Sequence, residues 1–98
     1  MQFKLVHLDV VGASDDTEYT FTIPDGAKNL LIRPSSSAVA WRWSHKTGVV
    51  AVPGGMNMSA GESLSDQGVA HLKQTFYWGH TAGVSVTLQV SFLVPVGR

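Results

Sequence analysis

Cysteine is absent from this 98-residue chain, which excludes a disulfide framework and every thiolate metal site. Charge is scarce. Asp, Glu, Lys and Arg together make up 14% of the residues, and seven bases cancel seven acids to a formal net charge of zero, where a quarter of residues is usual. A surface so poor in charge is weakly defended against association, so the composition favours an oligomer or an assembly component. The dense basic stripe that nucleic-acid binding needs is missing. No run approaches the ~20 apolar residues of a transmembrane helix. The apolar stretch at Phe3–Val11 is broken by Lys4, His7 and Asp9, which also argues against a secretory leader. The expected setting is synthesis in a cytoplasm, with neither nucleic acid nor membrane as partner.

What is present fits one domain spanning residues 1–98. An apolar share of 44% supports a core, though at this length folding buries only roughly 60–70% of the surface. The few charges are unevenly placed. Residues 1–27 hold Asp9, Asp15, Asp16, Glu18 and Asp25 against Lys4, whereas residues 28–46 hold Lys28, Arg33, Arg42 and Lys46 and no acid. Such segregation suits either complementary contact faces or two solvated ends of a neutral domain.

Period-two alternation runs almost from end to end. From Gly83 to Pro95, Val84, Val86, Leu88, Val90, Phe92 and Val94 share one face, a pattern that no helix produces. Tyr19, Phe21 and Ile23 alternate with Glu18, Thr20 and Thr22 until Pro24-Asp25-Gly26 turns the chain. Lys28–Arg33 forms a short strand, and Ala38–Ser44 sets Val39, Trp41 and Trp43 opposite Ala40, Arg42 and Ser44. Val49–Val52 and Met56–Ser59 flank the Pro53-Gly54-Gly55 break. His71–Trp78 sets Leu72, Phe76 and Trp78 opposite Lys73, Thr75 and Tyr77. Gly61–Val69 is the one stretch with room for a helical turn, and its two glycines disfavour it. Seven or eight short strands separated by Gly, Pro, Asp and Ser predict an all-β fold, a single antiparallel β-sandwich or small barrel.

The first strand breaks the rule. Val6, Leu8 and Val10 make a core face, yet Phe3 and Leu5 lie on the opposite face with His7. A strand apolar on both sides is either covered twice or awaits a partner. Phe3 and Leu5 are therefore the first candidate contact residues, followed by Met56, Met58 and Leu93. The methionines are adaptable contact residues that can equally turn inward.

Catalytic signals are weak. His7, His45, His71 and His80 show none of the spacings that aim two imidazoles at one ion, so surface or capping roles are expected and no cofactor is implied. There is no Gly-x-Ser-x-Gly elbow, and Gly12-Ala13-Ser14-Asp15-Asp16 reads as a polar hairpin loop. Asp15 and Asp16 are loop neighbours while Glu62 and Asp66 stand alone, unlike the converging pair of a glycosidase. Gly48 and Pro53-Gly54-Gly55 lack the histidine that a cupin motif requires. Asn57-Met58-Ser59 matches a glycosylation sequon, which carries little weight without secretion. Trp41, Trp43 and Trp78 lie on apolar faces, where packing with a satisfied indole N–H is the default. Tyr77 is the better surface aromatic, and Arg42 is expected to make an ordinary surface ion pair.

One resemblance emerges from the order of the pieces: Ile23-Pro24-Asp25-Gly26-Ala27, then Ser59-Ala60-Gly61-Glu62-Ser63, then Thr75-Phe76-Tyr77-Trp78 and a closing Ala82-Gly83-Val84 strand. Over about residues 17–94 the chain resembles the small β-sandwich virion proteins of tailed bacteriophages, which include capsid cement or decoration proteins and head or tail accessories. Residues 1–16 fall outside the likeness, as a private strand or an arm. Such proteins act through surfaces, so the resemblance carries over no catalytic residue. It implies a non-enzymatic homo-oligomer on the capsid surface of the virion, bound to the major capsid protein or another virion protein and stabilising the assembled head. The alternative is a carbohydrate- or receptor-binding β-module, which would show at least two coplanar exposed aromatic rings. A small barrel enzyme with a histidine-bound metal is the third reading.

Overall fold

In the computed structural model, which describes residues 2–51, 54–68 and 70–96, the alternation becomes eight strands. They are β1 (Gln2–Gly12), β2 (Tyr19–Ile23), β3 (Lys28–Pro34), β4 (Trp41–Ser44), β5 (Met56–Met58), β6 (Leu64–Asp66), β7 (Gln74–His80) and β8 (Val86–Val96). They form two four-stranded sheets, ordered β1-β8-β3-β6 and β2-β7-β4-β5, called here sheets A and B. Every pairing is antiparallel. The first strand pairs the last, the second the seventh, the third the sixth and the fourth the fifth. One long hairpin has been rolled over itself, which is the jelly-roll arrangement.

The rolling explains which connections cross. Within a sheet, only β4 and β5 are both consecutive in sequence and paired. The Gly12–Asp16 segment is consequently a crossing from sheet A to sheet B, not the hairpin loop expected from its composition. Chain-distant pairings dominate, so loop-closure entropy must be spent before contacts form, and folding should be slow for the chain's size.

The core lies between the sheets. Sheet A contributes Leu30 and Ile32 from β3 and Val86, Leu88, Val90 and Phe92 from β8. Sheet B contributes Phe21 and Ile23, Trp41, Phe76 and Trp78. Phe21 stacks on its cross-strand partner Phe76 with ring centroids 5.1 Å apart. Val6, Leu8 and Val10 of β1 pack against this core from the sheet edge, half-buried. Trp41 donates its indole N–H to the carbonyl of Glu62 at 2.8 Å. For Trp43 and Trp78 the expectation fails, since neither Nε1 meets an acceptor among the described residues. Trp78 is fully buried and Trp43 half-buried.

Several expectations need correction. Val84 is 64% exposed and lies before β8 begins, and Leu72 is 80% exposed before β7 begins. The periodic stripe at each site runs one step beyond the paired strand, into loops that no neighbour covers. Ala38–Ala40 leads into β4 without pairing, although Val39 is buried. Residues 49–51 are bends although Val50 is fully buried, and Val52 and Pro53 lie outside the described residues. Where a helical turn was disfavoured, β6 is a short strand on β3.

Candidate interaction surface

Alternation about the buried stripe of β8 sends Thr87, Gln89, Ser91, Leu93 and Pro95 to the outside of sheet A. On β1 the outward residues are Phe3, Leu5, His7, Asp9 and Val11. Register then decides what lies beside what. Phe3 faces Pro95 and Leu5 faces Leu93, directly across the β1–β8 pairing, while His7 faces Ser91 and Asp9 faces Gln89. Leu31 of β3 lies on the other side of Ser91, and Arg33 on the other side of Gln89.

The outer face of sheet A is therefore divided lengthwise. One end is apolar: Phe3, Leu5, Leu93 and Pro95, with Leu31 adjoining. The next rows are polar, with His7 Nε2 2.8 Å from Asp9 Oδ1 and Arg33 Nε donating to Gln89 Oε1 at 3.3 Å. Leu5 is 68% and Phe3 41% exposed. Lys28 Nζ stands over the Phe3 ring, 5.0 Å from its centroid. That contact holds the ring against the sheet and leaves its neighbour Leu5 bare.

Three of the five contact candidates, Phe3, Leu5 and Leu93, thus converge. The methionines do not join them. Met56 and Met58 are on β5, the edge of sheet B, paired with Trp43 and Trp41. Met58 packs partly against the core, and Met56 remains exposed. Sequence reasoning passed over Leu31 and Pro95. The test that found Leu5 would have found Leu31, an apolar residue alternating with buried Leu30 and Ile32.

Arg42 is the largest departure from expectation. Its position on β4 points away from the core, yet its side chain is only 5% exposed. The segment carrying Val50 folds back over the outside of sheet B and covers it. Nε donates to the Val50 carbonyl at 2.7 Å, one terminal nitrogen to Asp16 Oδ1 at 2.9 Å and the other to Thr81 Oγ1 at 3.3 Å. The cross-strand partner of Arg42 is Gly79. A Cβ there would stand 3.1 Å from the carbonyl oxygens of both Thr17 and Val50, so any larger residue would push the two loops outward as they close over the guanidinium. Asp16 of the acidic first segment and Arg42 of the basic second one meet within the chain at this buried clamp.

His80 is the second departure. It is fully buried, with Nε2 2.8 Å from the Gly12 carbonyl and Nδ1 accepting from the Ala82 N–H at 3.2 Å. Those partners fix the Nε2–H tautomer. Asp15 Oδ1, 3.6 Å from Nδ1, instead accepts from the Gly83 N–H at 2.8 Å. His80 therefore ties the β1–β2 crossing to the β7–β8 crossing from a buried position, where surface or capping roles were expected. The remaining histidines keep separate company: His7 with Asp9, His45 with the Thr75 carbonyl, His71 beside Asp66 and Gln74. Among the described residues no group of three or more His, Asp or Glu side chains is placed to hold a metal ion.

The outside of sheet B is polar where the Arg42 clamp does not cover it. Thr20, Thr22, Ser44, Thr75 and Tyr77 line it, and the hydroxyls of the cross-strand partners Thr22 and Thr75 are 3.2 Å apart. Half-buried Tyr77 borders a shallow depression with His45, Gln74 and Thr75. The ring of His45 tilts against Phe76, centroids 4.6 Å apart, and meets Trp43 edge-on at 75°. No coplanar pair of exposed rings occurs there.

No family model, curated protein or solved structure matches the chain.

Proposed function

We propose that the chain is a structural virion protein, a cement or decoration protein that docks on an assembled phage head through the apolar end of sheet A. The observation that carries this reading is the contiguous apolar cluster of exposed Leu5, Phe3 and Pro95 with half-buried Leu93, on a domain with few charges to keep it solvated. Fully burying one such side chain is worth about 1.5–3 kcal/mol, so several buried together can offset the cost of association. Jelly rolls recur in viral capsid and lectin domains, and a fold alone does not choose between such uses. The patch favours the shell, because Phe3 is its one aromatic ring where a sugar site presents at least two coplanar exposed rings.

The mechanism is linkage. A protein that binds the assembled head and not its parts lowers the free energy of the assembly, by about 2.7 kcal/mol per site at a hundredfold excess over Kd. The test is co-sedimentation with purified heads of the phage whose genome carries the chain. Wild-type protein should saturate the heads and raise their opening temperature, and the Phe3→Ser, Leu5→Ser variant should do neither. Wild-type protein that stays in the supernatant overturns the reading.

A further inference from the structure

β1 lies at the edge of sheet A, paired with β8 on one side and with no strand on the other among the described residues. It is eleven residues long and contains no proline. Edges of this length are usually blunted by proline, bulges or inward-pointing charge, because a row of free N–H and C=O groups is a template for another strand. Here the pairing with β8 runs without a register shift from Gln2 to Gly12. Only Lys4, near one end, places a charge on the core side.

We infer that a second copy of this chain occupies that edge, pairing β1 to β1 antiparallel about a twofold axis at Leu8. This inference deepens the assembly reading above and rests on it for the need of a partner, but the choice of surface and register comes from β1 itself. A twofold perpendicular to the sheet keeps each chain's core face on the same side, so opposed residues must share a face. Centring on Leu8 sets Val6 against Val10, Leu8 against Leu8, Leu5 against Val11 and His7 against Asp9. The intrachain His7–Asp9 contact, already 2.8 Å, becomes a square of four alternating groups.

The neighbouring registers fail on pair chemistry. Centring on His7 sets Leu5 against Asp9. Centring on Asp9 puts that carboxylate against itself and His7 against Val11. Centring on Val6 sets Phe3 against Asp9 and Lys4 against Leu8. Directly opposed like charges are destabilising, and a polar group against an apolar one forfeits its partner. Only the Leu8 register matches every apolar residue with an apolar one from Val6 to Val10 and from Leu5 to Val11.

The pairing also completes the docking surface. Val11, 55% exposed in the single chain, would sit beside Leu5 of the other copy. Each apolar end of sheet A would then be extended by its partner, giving two equivalent patches on one continuous eight-stranded sheet. The edge is consumed and the face stays free for the shell.

Because the chain has no cysteine, introduced thiols report register without background. Leu5→Cys and Val11→Cys are both at exposed positions. Opposed antiparallel residues have Cα atoms about 4.5–5.5 Å apart, within disulfide reach. Sedimentation of the purified wild type, without heads, should give twice the chain mass. Under mild oxidation a mixture of the two variants should form a mixed disulfide dimer, and neither variant should cross-link to itself. Asp9→Lys should weaken the dimer by about tenfold, and the His7→Asp, Asp9→Lys swap should restore it. A wild type that remains monomeric at every concentration overturns the inference, as does a dimer in which Leu5→Cys links to itself. The swap decides the matter if a cysteine variant fails to fold: failure to restore the dimer overturns the register. Head binding by a monomer would sink the edge pairing and leave the docking patch standing, while a correctly cross-linked dimer that ignores heads would do the reverse.

Discussion

The two outer faces of this sandwich handle the same problem in opposite ways. Sheet B carries threonines, a serine and a tyrosine outward, and folds the Val50 segment over the one long charged side chain it turns away from the core. Sheet A leaves an apolar end uncovered beside its long edge strand β1, which has no second neighbour among the described residues. The difference lies in what each face already has as a partner. On sheet B, Arg42 is satisfied within the chain by Val50, Asp16 and Thr81, and Thr22 pairs with Thr75; the apolar end of sheet A has no such covering segment among the described residues. A small domain can leave one face open in this way because the core between the sheets needs neither outer surface.

The harshest test of that separation is Trp78→Ala. Trp78 is fully buried, its ring 5.6 Å from that of Tyr19 and 5.9 Å from that of His80, and its edge lies under Gly12, where an added Cβ would stand 2.7 Å away. It joins β7 to the end of β1. Truncating a buried Trp costs about 3–5 kcal/mol, against a total of about 5–15 for a domain of this kind. Urea titration should show most of the stability lost and both faces lost together. Unfolding that spares sheet A would show that the sheets are not one cooperative unit.

Arg42→Ala comes next and acts on sheet B alone. It strands the Val50 carbonyl, Asp16 and Thr81 at once. An unsatisfied buried partner costs about 1–3 kcal/mol, and Asp16, half exposed, recovers much of its share from water. The expected loss is about 2–4 kcal/mol, with the oligomer and head binding retained once the protein is folded. A loss of assembly at unchanged stability would move the contact surface to the clamp.

Why the clamp was invisible in the sequence is instructive. Alternation placed Arg42 outside correctly, since Trp41 and Trp43 do face the core side. Alternation is blind to a loop that returns from beyond the strand, and nothing local marks Val50 as a lid. The burial of His80 was missed for a related reason: its neighbours in space, Gly12 and Asp15, are about two thirds of the chain length away. The long stripe of β8 and the double-sided β1 were legible, because both are properties of a single strand. The sheet order was not, since a rolled hairpin and a row of meanders share one local pattern. Val84 and Leu72 show the opposite error, a periodicity that outlasts the pairing which gives it meaning.

Phe3→Ser with Leu5→Ser should reverse the Arg42 result. Surface substitutions usually move stability by no more than about 0.5 kcal/mol, and Phe3 adds its Lys28 contact, so the thermal midpoint should fall by only a few degrees. Binding to heads should be abolished. Circular dichroism and co-sedimentation on the same preparation read both quantities. An unfolded double variant would place these two residues in the core and remove the contrast between the faces.

The smallest effect is expected on the open part of sheet B. Thr22→Val with Thr75→Val removes the hydroxyl pair at 3.2 Å and keeps the β-branched shape that a strand prefers. Cross-strand pairs of this kind differ by about 0.2–1 kcal/mol, and the valine pair recovers part of that by packing. The backbone carbonyl of Thr75 that meets His45 Nδ1 is untouched. The midpoint should move by less than about 4–8 °C, the shift that 1 kcal/mol produces in a domain of 60–100 residues. Oligomer mass and head binding should be unchanged, although the variant face is more apolar than before. Weakened head binding would locate the contact on the threonine face and exchange the roles of the two sheets. New self-association would show that polarity alone, and not the clamp, keeps sheet B free of partners.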